Sequence, residues 1–165
     1  MTDDEVQSSV VRWIASVTGV TVIKAFQGID RPPLPYVMVE FGTVEELSDN
    51  PEQFRYEELS TTNSEGEREV SVTPLLELEW LFLVYSFGEG QSSALRRIKQ
   101  GVHIAQVQEP LTPLTIHDTG VINSVPEFID QHWEPRSQLN VMVRGVTTGG
   151  FVIDTIEEHT PLDIT

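Results

Sequence analysis

The segment LLELEWLFLVYSF, residues 75–87, contains two charged residues and neither Gly nor Pro. Pro74 precedes it and Gly88 follows it, and its second half is rich in aromatic and β-branched residues, which favours a strand over a buried helix. Side chains alternate between the two faces of a strand. One face is therefore predicted to be apolar throughout, with Leu76, Leu78, Trp80, Phe82 and Val84.

The opposite face of this strand changes character along its length. It is acidic at Glu77 and Glu79 and apolar from Leu81 to Phe87. We therefore expect a central strand that is covered by helices on one face and only partly covered on the other. A buried Trp, Phe or Leu contributes about 1.5–3 kcal/mol, so this strand is a main source of core energy. The partly uncovered face predicts a protein that is incomplete as a monomer.

Length and composition limit the class of protein. The chain has 165 residues, 39% of them hydrophobic, which fits a single domain over residues 1–165. No segment reaches the roughly 20 apolar residues of a membrane span. The first residues, MTDDEV, are acidic, so no signal peptide is expected. The absence of cysteine excludes disulfides, zinc–thiolate sites and cysteine nucleophiles.

The net charge is strongly negative, with 10 Lys and Arg against 26 Asp and Glu, which gives −16. Such a chain repels DNA within a Debye length of about 8–10 Å, so a protein that grips DNA is not expected. High acidity is consistent with a highly soluble protein. It is also consistent with a surface that DNA passes without adhering, because Lys and Arg contacts to phosphates cause non-specific binding.

Periodicity and turn signals give an order of elements along the chain. We predict an α+β fold, with a mostly antiparallel sheet and two helices packed on one face. The predicted helices are residues 3–18 and 91–107, and the second carries Gly101, where it can end early or kink. The predicted strands are residues 21–25, 36–44, 75–87, 114–122, 133–147 and 151–156, with a turn or one helical turn at 127–130.

Two of these segments carry specific expectations. In the strand at 133–147, Leu139, Val141 and Val143 are predicted to face the core, and residues 151–156 are predicted to pair back onto that strand as a hairpin. Residues 45–69 contain nine acids and two bases and are interpreted as a long exposed hairpin or acidic arm. Residues 157–165 are expected to form a flexible tail.

Motifs that indicate catalysis or cofactor binding are weak. FGEGQSS, residues 87–93, resembles a dinucleotide fingerprint, but Ser93 replaces the third Gly and no parallel βαβ series follows. His117 with Asp118, and His132 with Glu134, provide only a minimal set of metal ligands. We therefore expect no enzyme activity, no cofactor and no metal site.

Some polar and aromatic residues are better explained by a protein–protein interface than by catalysis. In Trp133-Glu134-Pro135-Arg136 an aromatic, an acid and a base occur together at the start of a strand, and Trp and Arg are enriched at interface anchors. An intersubunit role competes here with a local salt bridge. The hypothesised interface set is Trp133, Glu134, Arg136, Arg144, Arg96 and Arg97.

Four stretches in this order resemble the tail terminator, or neck, proteins of long-tailed bacteriophages. They are VRWIASVTGVTVIKAFQG, RPPLPYVMVEF, LVYSFGEGQSSALRRI and WEPRSQLNVMVRG, and together they lie between Val11 and Ile156. Each stretch is degenerate, and the order of the stretches carries the resemblance. Residues 45–69 match no motif of that family.

The resemblance implies a structural virion protein rather than an enzyme. Proteins of this family form a homo-oligomeric ring, a hexamer, at the head-proximal end of the tail tube. The ring ends tube growth and contacts the tail-tube protein and the head-side connector protein. DNA passes through its channel without specific binding. The implied location is the virion, at the head–tail junction, and the host cytoplasm during assembly, with no membrane partner.

Three other functions remain open from the sequence. The first is another head–tail connector or a tube-initiating adaptor of the same virion. The second is a small hydrolase that uses His117, Asp118 or Glu134. The third is an acidic protein that mimics DNA and occupies a nucleic-acid-binding partner.

Overall fold

The computed structural model describes residues 2–28, 30–48, 53–64, 66–129, 131–146 and 149–153. The chain separates into two compact bodies. The first body contains Met1–Leu47 and Glu77–Gly145, and the second contains Ser48–Leu76 and Val146–Thr165. A single domain over residues 1–165 stays a prediction.

The first body is a six-stranded sheet with helices. Its main path has the order β1-β2-β5-β10-β6, and the short β7 pairs with β10. β1 and β2 are parallel, whereas β2 with β5 and β10 with β6 are antiparallel. The strands are β1 (Thr21–Lys24), β2 (Tyr36–Glu46), β5 (Glu77–Phe87), β6 (Thr115–Thr119), β7 (Asn123–Ser124) and β10 (Arg136–Val146). The α+β prediction is confirmed.

The helices of this body are α1 (Asp3–Thr18), α2 (Gln91–Val102) and the short α3 (Ala105–Gln108), followed by a 3₁₀ turn at Glu109–Leu111. α1 begins with a capping box, in which Thr2 and Glu5 each satisfy a backbone N–H of the other. It ends at Gly19, which has a left-handed backbone (φ 73°). These local signals are present in the sequence, so the bounds of α1 were predictable.

One continuous core lies between the sheet and the two long helices. The predicted core face of β5 is confirmed, because Trp80, Phe82 and Val84 are fully buried. The same holds for Leu139, Val141 and Val143 on β10. From the helices, the core receives Val6, Val10, Trp13 and Ile14 of α1 and Leu95 and Ile98 of α2. Both long helices therefore pack on the same face of the sheet.

Buried tryptophans fasten the helices to their neighbours. The indole N–H of Trp13 donates to the carbonyl of Val107 at 2.6 Å, and the indole N–H of Trp80 donates to the Asp3 carboxylate at 2.9 Å. A buried indole N–H needs such a partner. The first contact holds the segment after α2 against α1, and the second holds the start of α1 over β5.

The second body is a three-stranded antiparallel sheet with the order β11-β4-β3. Its strands are β3 (Gln53–Thr62), β4 (Arg68–Leu75) and β11 (Phe151–Ile153). A further two-stranded sheet is formed by β8 (Glu127–Ile129) and β9 (His132–Glu134), which belong to the first body.

Several predicted boundaries were wrong for physical reasons. The strand predicted at 75–87 is two strands, because the chain changes sheets between Leu75 and Glu77. β2 extends to Glu46, so Glu45 and Glu46 pair with β5 and are not part of an arm. The helix predicted at 91–107 ends at Val102. A Cβ on the buried Gly101 would lie 3.2 Å from Val107 and 3.3 Å from Val17, so the chain packs closely there as it turns.

Two further predictions were wrong about which segments form strands and which strands pair. The turn predicted at 127–130 is the strand β8, which pairs with β9. The segment from Phe151 pairs with β4 and not with the strand that precedes it. The partner of a strand is decided by contacts between distant segments, and the hydrophobic pattern within one segment does not identify that partner. The predicted tail at 157–165 lies outside the described residues.

Candidate interaction surfaces

The sheet of the first body has one face that the two long helices do not cover. We call this the open face and define it by Met38, Glu40, Leu81, Leu83, Tyr85, Gln138, Asn140 and Met142. All eight side chains are partly exposed, although they lie on the central strands β2, β5 and β10. Apolar and amide side chains on a central, partly exposed surface are typical of an interface rather than of a solvated sheet face.

Stacked aromatic rings and two arginines mark one end of the open face. Tyr36 and Phe87 stack with ring centroids 4.7 Å apart. The Arg31 guanidinium lies 5.2 Å from the Phe87 centroid, and the Arg136 guanidinium lies 5.1 Å from that of Tyr85. Such cation–π contacts hold both arginines in place.

Carboxylates complete this arginine and aromatic cluster. Arg136 Nη1 donates to Glu127 Oε2 at 3.1 Å, and its Nε donates to the carbonyl of Val125 at 3.2 Å. Arg31 Nη2 lies 2.9 Å from Glu134 Oε2. Among the interface candidates, Glu134 and Arg136 therefore have partners within their own chain. These contacts support the alternative interpretation of WEPR, which is a local salt bridge.

Two pKa values in this cluster depart from their ordinary range. Burial raises the pKa of Tyr85, and its hydrogen bond to the Glu40 carboxylate raises it further, although Arg136 acts in the opposite direction. Burial alone would lower the pKa of Arg31. The hydrogen bond to Tyr36 and the charges of Glu134 and Glu127 outweigh that effect and raise it. Arg31 is therefore a fixed positive charge.

The opposite end of the open face is polar. Arg144 Nε donates to Glu79 Oε2 at 3.0 Å, and His117 Nε2 lies 2.6 Å from the same oxygen. Arg136 and Arg144 lie eight positions apart on one strand, or about 26 Å at 3.3 Å per residue. Arg136 and Arg144, two of the four arginines predicted as interface residues, thus mark opposite ends of one sheet face.

Trp133 is the aromatic residue of the predicted interface set, and 67% of its surface is accessible. Its ring lies 5.2 Å from that of Phe128 on the paired strand β8, and Phe128 is also exposed. An exposed aromatic pair on a two-stranded sheet is a candidate anchor. The sequence missed Phe128 because residues 127–130 were interpreted as a turn.

Arg96 and Arg97 lie on the exposed side of α2, apart from the Trp133 region along the chain. Within the described residues, neither has a carboxylate at ion-pair distance. Lys99 on the same helix donates to the Gly120 carbonyl at 2.6 Å. The six predicted residues therefore occupy three separate places: the β8–β9 region with Arg136, the far end of β10, and α2.

The residues considered for a hydrolase or a metal site each have a separate partner. His117 contacts Glu79, Asp118 accepts a hydrogen bond from the Thr119 backbone, and Glu134 contacts Arg31. Among the described residues, no three His, Asp or Glu side chains converge in a way that would hold a metal ion. In that same part of the chain, none of the helices has the length and apolar character needed to span a bilayer.

Comparison with known proteins gives one assignment. A family model described as phage neck terminator protein matches residues 4–165. A search of curated proteins gives no significant match. The match covers nearly the whole chain and agrees with the resemblance seen in the sequence. The chain therefore belongs to the phage neck terminator protein family.

Proposed function

We propose that this protein forms a ring, a hexamer, at the head-proximal end of the phage tail tube, where it stops tube growth and joins the tail to the head. Neck terminator proteins are structural components of the virion tail and interact with other head and tail proteins. The ring, the termination of the tube and the passage of DNA are the parts that we add.

The open face is the observation that carries the proposal. Its apolar members Leu81, Leu83 and Met142 lie at the centre of a sheet, yet they remain partly exposed in the isolated chain. Contact with another protein would remove this apolar surface from water, at about 25 cal/mol per Å². A ring subunit needs surfaces of this kind, both for its neighbours and for the tube.

The charge of the chain supports a conduit rather than a DNA-binding protein. Each copy carries −16, so six copies would carry −96. Five of the ten Lys and Arg side chains pair with carboxylates of their own chain, which lowers the number available to phosphates that pass such a ring; these are Lys24, Arg31, Arg68, Arg136 and Arg144. DNA would therefore pass without being held.

Mass photometry of the purified protein, alone and with the tail-tube protein, tests the ring. We expect a closed assembly of six copies, either in isolation or bound to a tube end. A protein that stays monomeric in both conditions would contradict the proposal.

A gel-shift assay with double-stranded DNA at low salt tests the conduit, and we expect no retardation of the DNA.

A further inference from the structure

The second body presents one strongly apolar sheet face. Residues paired directly across antiparallel strands point to the same side of a sheet. Tyr56 pairs with Val72, which pairs in turn with Phe151. The same rule groups their alternate neighbours. We call this the apolar face and define it by Phe54, Tyr56, Val70, Val72, Pro74, Phe151 and Ile153.

The aromatic members of the apolar face are open to solvent. Phe54 is 52% exposed, Tyr56 is 65% exposed and Phe151 is 71% exposed. The second body has no helix among its described residues that would cover them. Single exposed apolar residues are ordinary, but a contiguous group across three strands marks an interaction site.

The net charge of the second body restricts the partner. The second body has two Lys and Arg against eleven Asp and Glu, a net charge of −9. Among the described acids, Glu58 lies on the side of Tyr56 and pairs with Arg68 at 3.0 Å, whereas Glu57 points to the opposite side of the sheet. A partner surface that combines apolar side chains with positive charge would complement this apolar face on a body of negative net charge.

The first body carries such a surface on its helical side. Two shallow cavities of about 260 and 400 Å³ share Ser16 and Pro110 and so form one groove. We call it the helical groove. Its apolar lining comes from Val17, Ile104, Val107 and Pro110, and its positive charge from Arg12 and Arg97.

The helix beside the groove strengthens this positive character. α2 carries Arg96, Arg97 and Lys99 and no acidic residue. Ile104, next to it, is an exposed aliphatic side chain. Aromatic residues on a body of net charge −9 thus match an aliphatic groove that carries Arg12 and Arg97.

We propose that the apolar face of one copy docks into the helical groove of a neighbouring copy of the same chain. The inference rests on the proposed ring and names the two surfaces that join its subunits. Because the two surfaces differ, the contact is heterologous. Heterologous contacts run head to tail and can close into a ring, whereas contacts between identical surfaces stop at a dimer.

Cysteine crosslinking tests the contact in assembled virions, because the chain has no cysteine of its own. Tyr56→Cys and Ile104→Cys variants, one of them tagged, are co-assembled and treated with a short bis-maleimide. We expect crosslinked dimers that contain one copy of each variant. In the matched control, Val121→Cys replaces Ile104→Cys, since Val121 is exposed but lies outside the groove. We expect no crosslink with Tyr56→Cys there.

Three outcomes would overturn the contact. Dimers of Tyr56→Cys with itself would show that two apolar faces meet. A crosslink from Tyr56→Cys to the tail-tube protein would show that the tube occupies the face. The absence of any crosslink, when both cysteines react with maleimide in the dissociated protein, would show that the face and the groove do not meet.

A mixing experiment tests the head-to-tail arrangement independently. Tyr56→Thr with Phe151→Thr removes the apolar face, and Arg97→Glu with Ile104→Ser removes the groove. We expect each variant to need at least about tenfold more protein to self-assemble, and the mixture to stop at dimers, because only one functional pair of surfaces remains. Arg55→Glu with Val121→Thr is the matched control and should assemble normally. Rings from either variant alone at the ordinary concentration would overturn the proposal.

Failure of this contact is distinguishable from failure of the proposed function. If virions that lack the protein have overlong tails but no crosslink forms, termination stands and the contact falls. If the crosslink forms but tail length does not depend on the protein, the contact stands and the terminator function falls.

Discussion

Arg31 and Glu134 form an ion pair of 2.9 Å that joins the proline-rich loop before β2 to the strand β9. The same arginine donates through Nε to the Tyr36 hydroxyl at 2.6 Å and lies over the ring of Phe87. One side chain thus holds the end of the open face together by charge, hydrogen bonding and stacking.

We expect Arg31→Ala to lower the free energy of unfolding by about 1–2 kcal/mol, because the largely buried Glu134 carboxylate loses its ion-pair partner and the Tyr36 hydroxyl loses its hydrogen-bond donor. Urea unfolding at neutral pH measures the change. Arg31→Lys keeps the charge but loses the planar guanidinium, so it should recover only part of the loss. Equal stability of Arg31→Ala and wild type would contradict the assigned role.

Gly145 is a packing position at the end of β10. A Cβ there would lie 2.7 Å from Leu114 and 3.1 Å from the Trp80 ring. We expect Gly145→Ala to destabilise the protein by about 1–3 kcal/mol through overpacking. Gly149→Ala is the control, since a Cβ at that position meets nothing within 4 Å. Thermal unfolding of both variants compares them, and equal melting temperatures would refute the close packing.

Tyr85 gives a pH dependence with a defined sign. Its pKa is raised in the folded protein by burial and by Glu40, so its contribution to stability is present below the unfolded value of about 10. That contribution is lost as the pH rises through the folded pKa. Difference titration of tyrosinate absorbance against Tyr85→Phe should show this group ionising late. Ionisation at or below the ordinary value would contradict the assignment.

Trp133 and Arg136 lie three positions apart and both belong to the predicted interface set, but they differ in their contacts. Trp133 is exposed, whereas Arg136 is tied to Glu127, Val125 and Tyr85. We therefore expect Trp133→Ala to weaken assembly while stability changes by less than about 0.5 kcal/mol. Arg136→Ala should instead lower stability by about 1–3 kcal/mol.

Unfolding curves and mass photometry on the same two samples separate these effects. Arg144→Ala is a useful comparison, because the Arg144 side chain is more exposed than that of Arg136 and, among the described residues, forms an ion pair with Glu79 alone. Complete rings from Trp133→Ala at the wild-type concentration would remove Trp133 from the interface.

Local patterns in the sequence were sufficient for much of this fold. The alternation around Trp80 and Leu139 identified the buried faces of both central strands, because each has one face in the core. Helix α1 was predictable from Thr2, Glu5 and Gly19, whose roles depend only on neighbouring residues.

Contacts between distant segments were not predictable in this way. β8 and β9 are joined by a two-residue connection that includes Gln131 at φ 68°, where no Asn-Gly or Gly signal indicates a hairpin. The ion pair of Arg31 with Glu134 and the contact of Arg136 with the Tyr85 ring join segments far apart in the sequence. The apolar face could not be predicted, because only the pairing register of β3, β4 and β11 places Phe54, Tyr56 and Phe151 on the same side of the sheet.

The length of the tail tube in particles assembled without this protein tests the central claim most directly. Electron microscopy of tails from a phage that lacks the gene should show tubes that exceed the normal length and vary among particles, and supplying the protein should restore a single length. Tubes of normal length that merely fail to join heads would contradict a terminator and would indicate an adaptor instead.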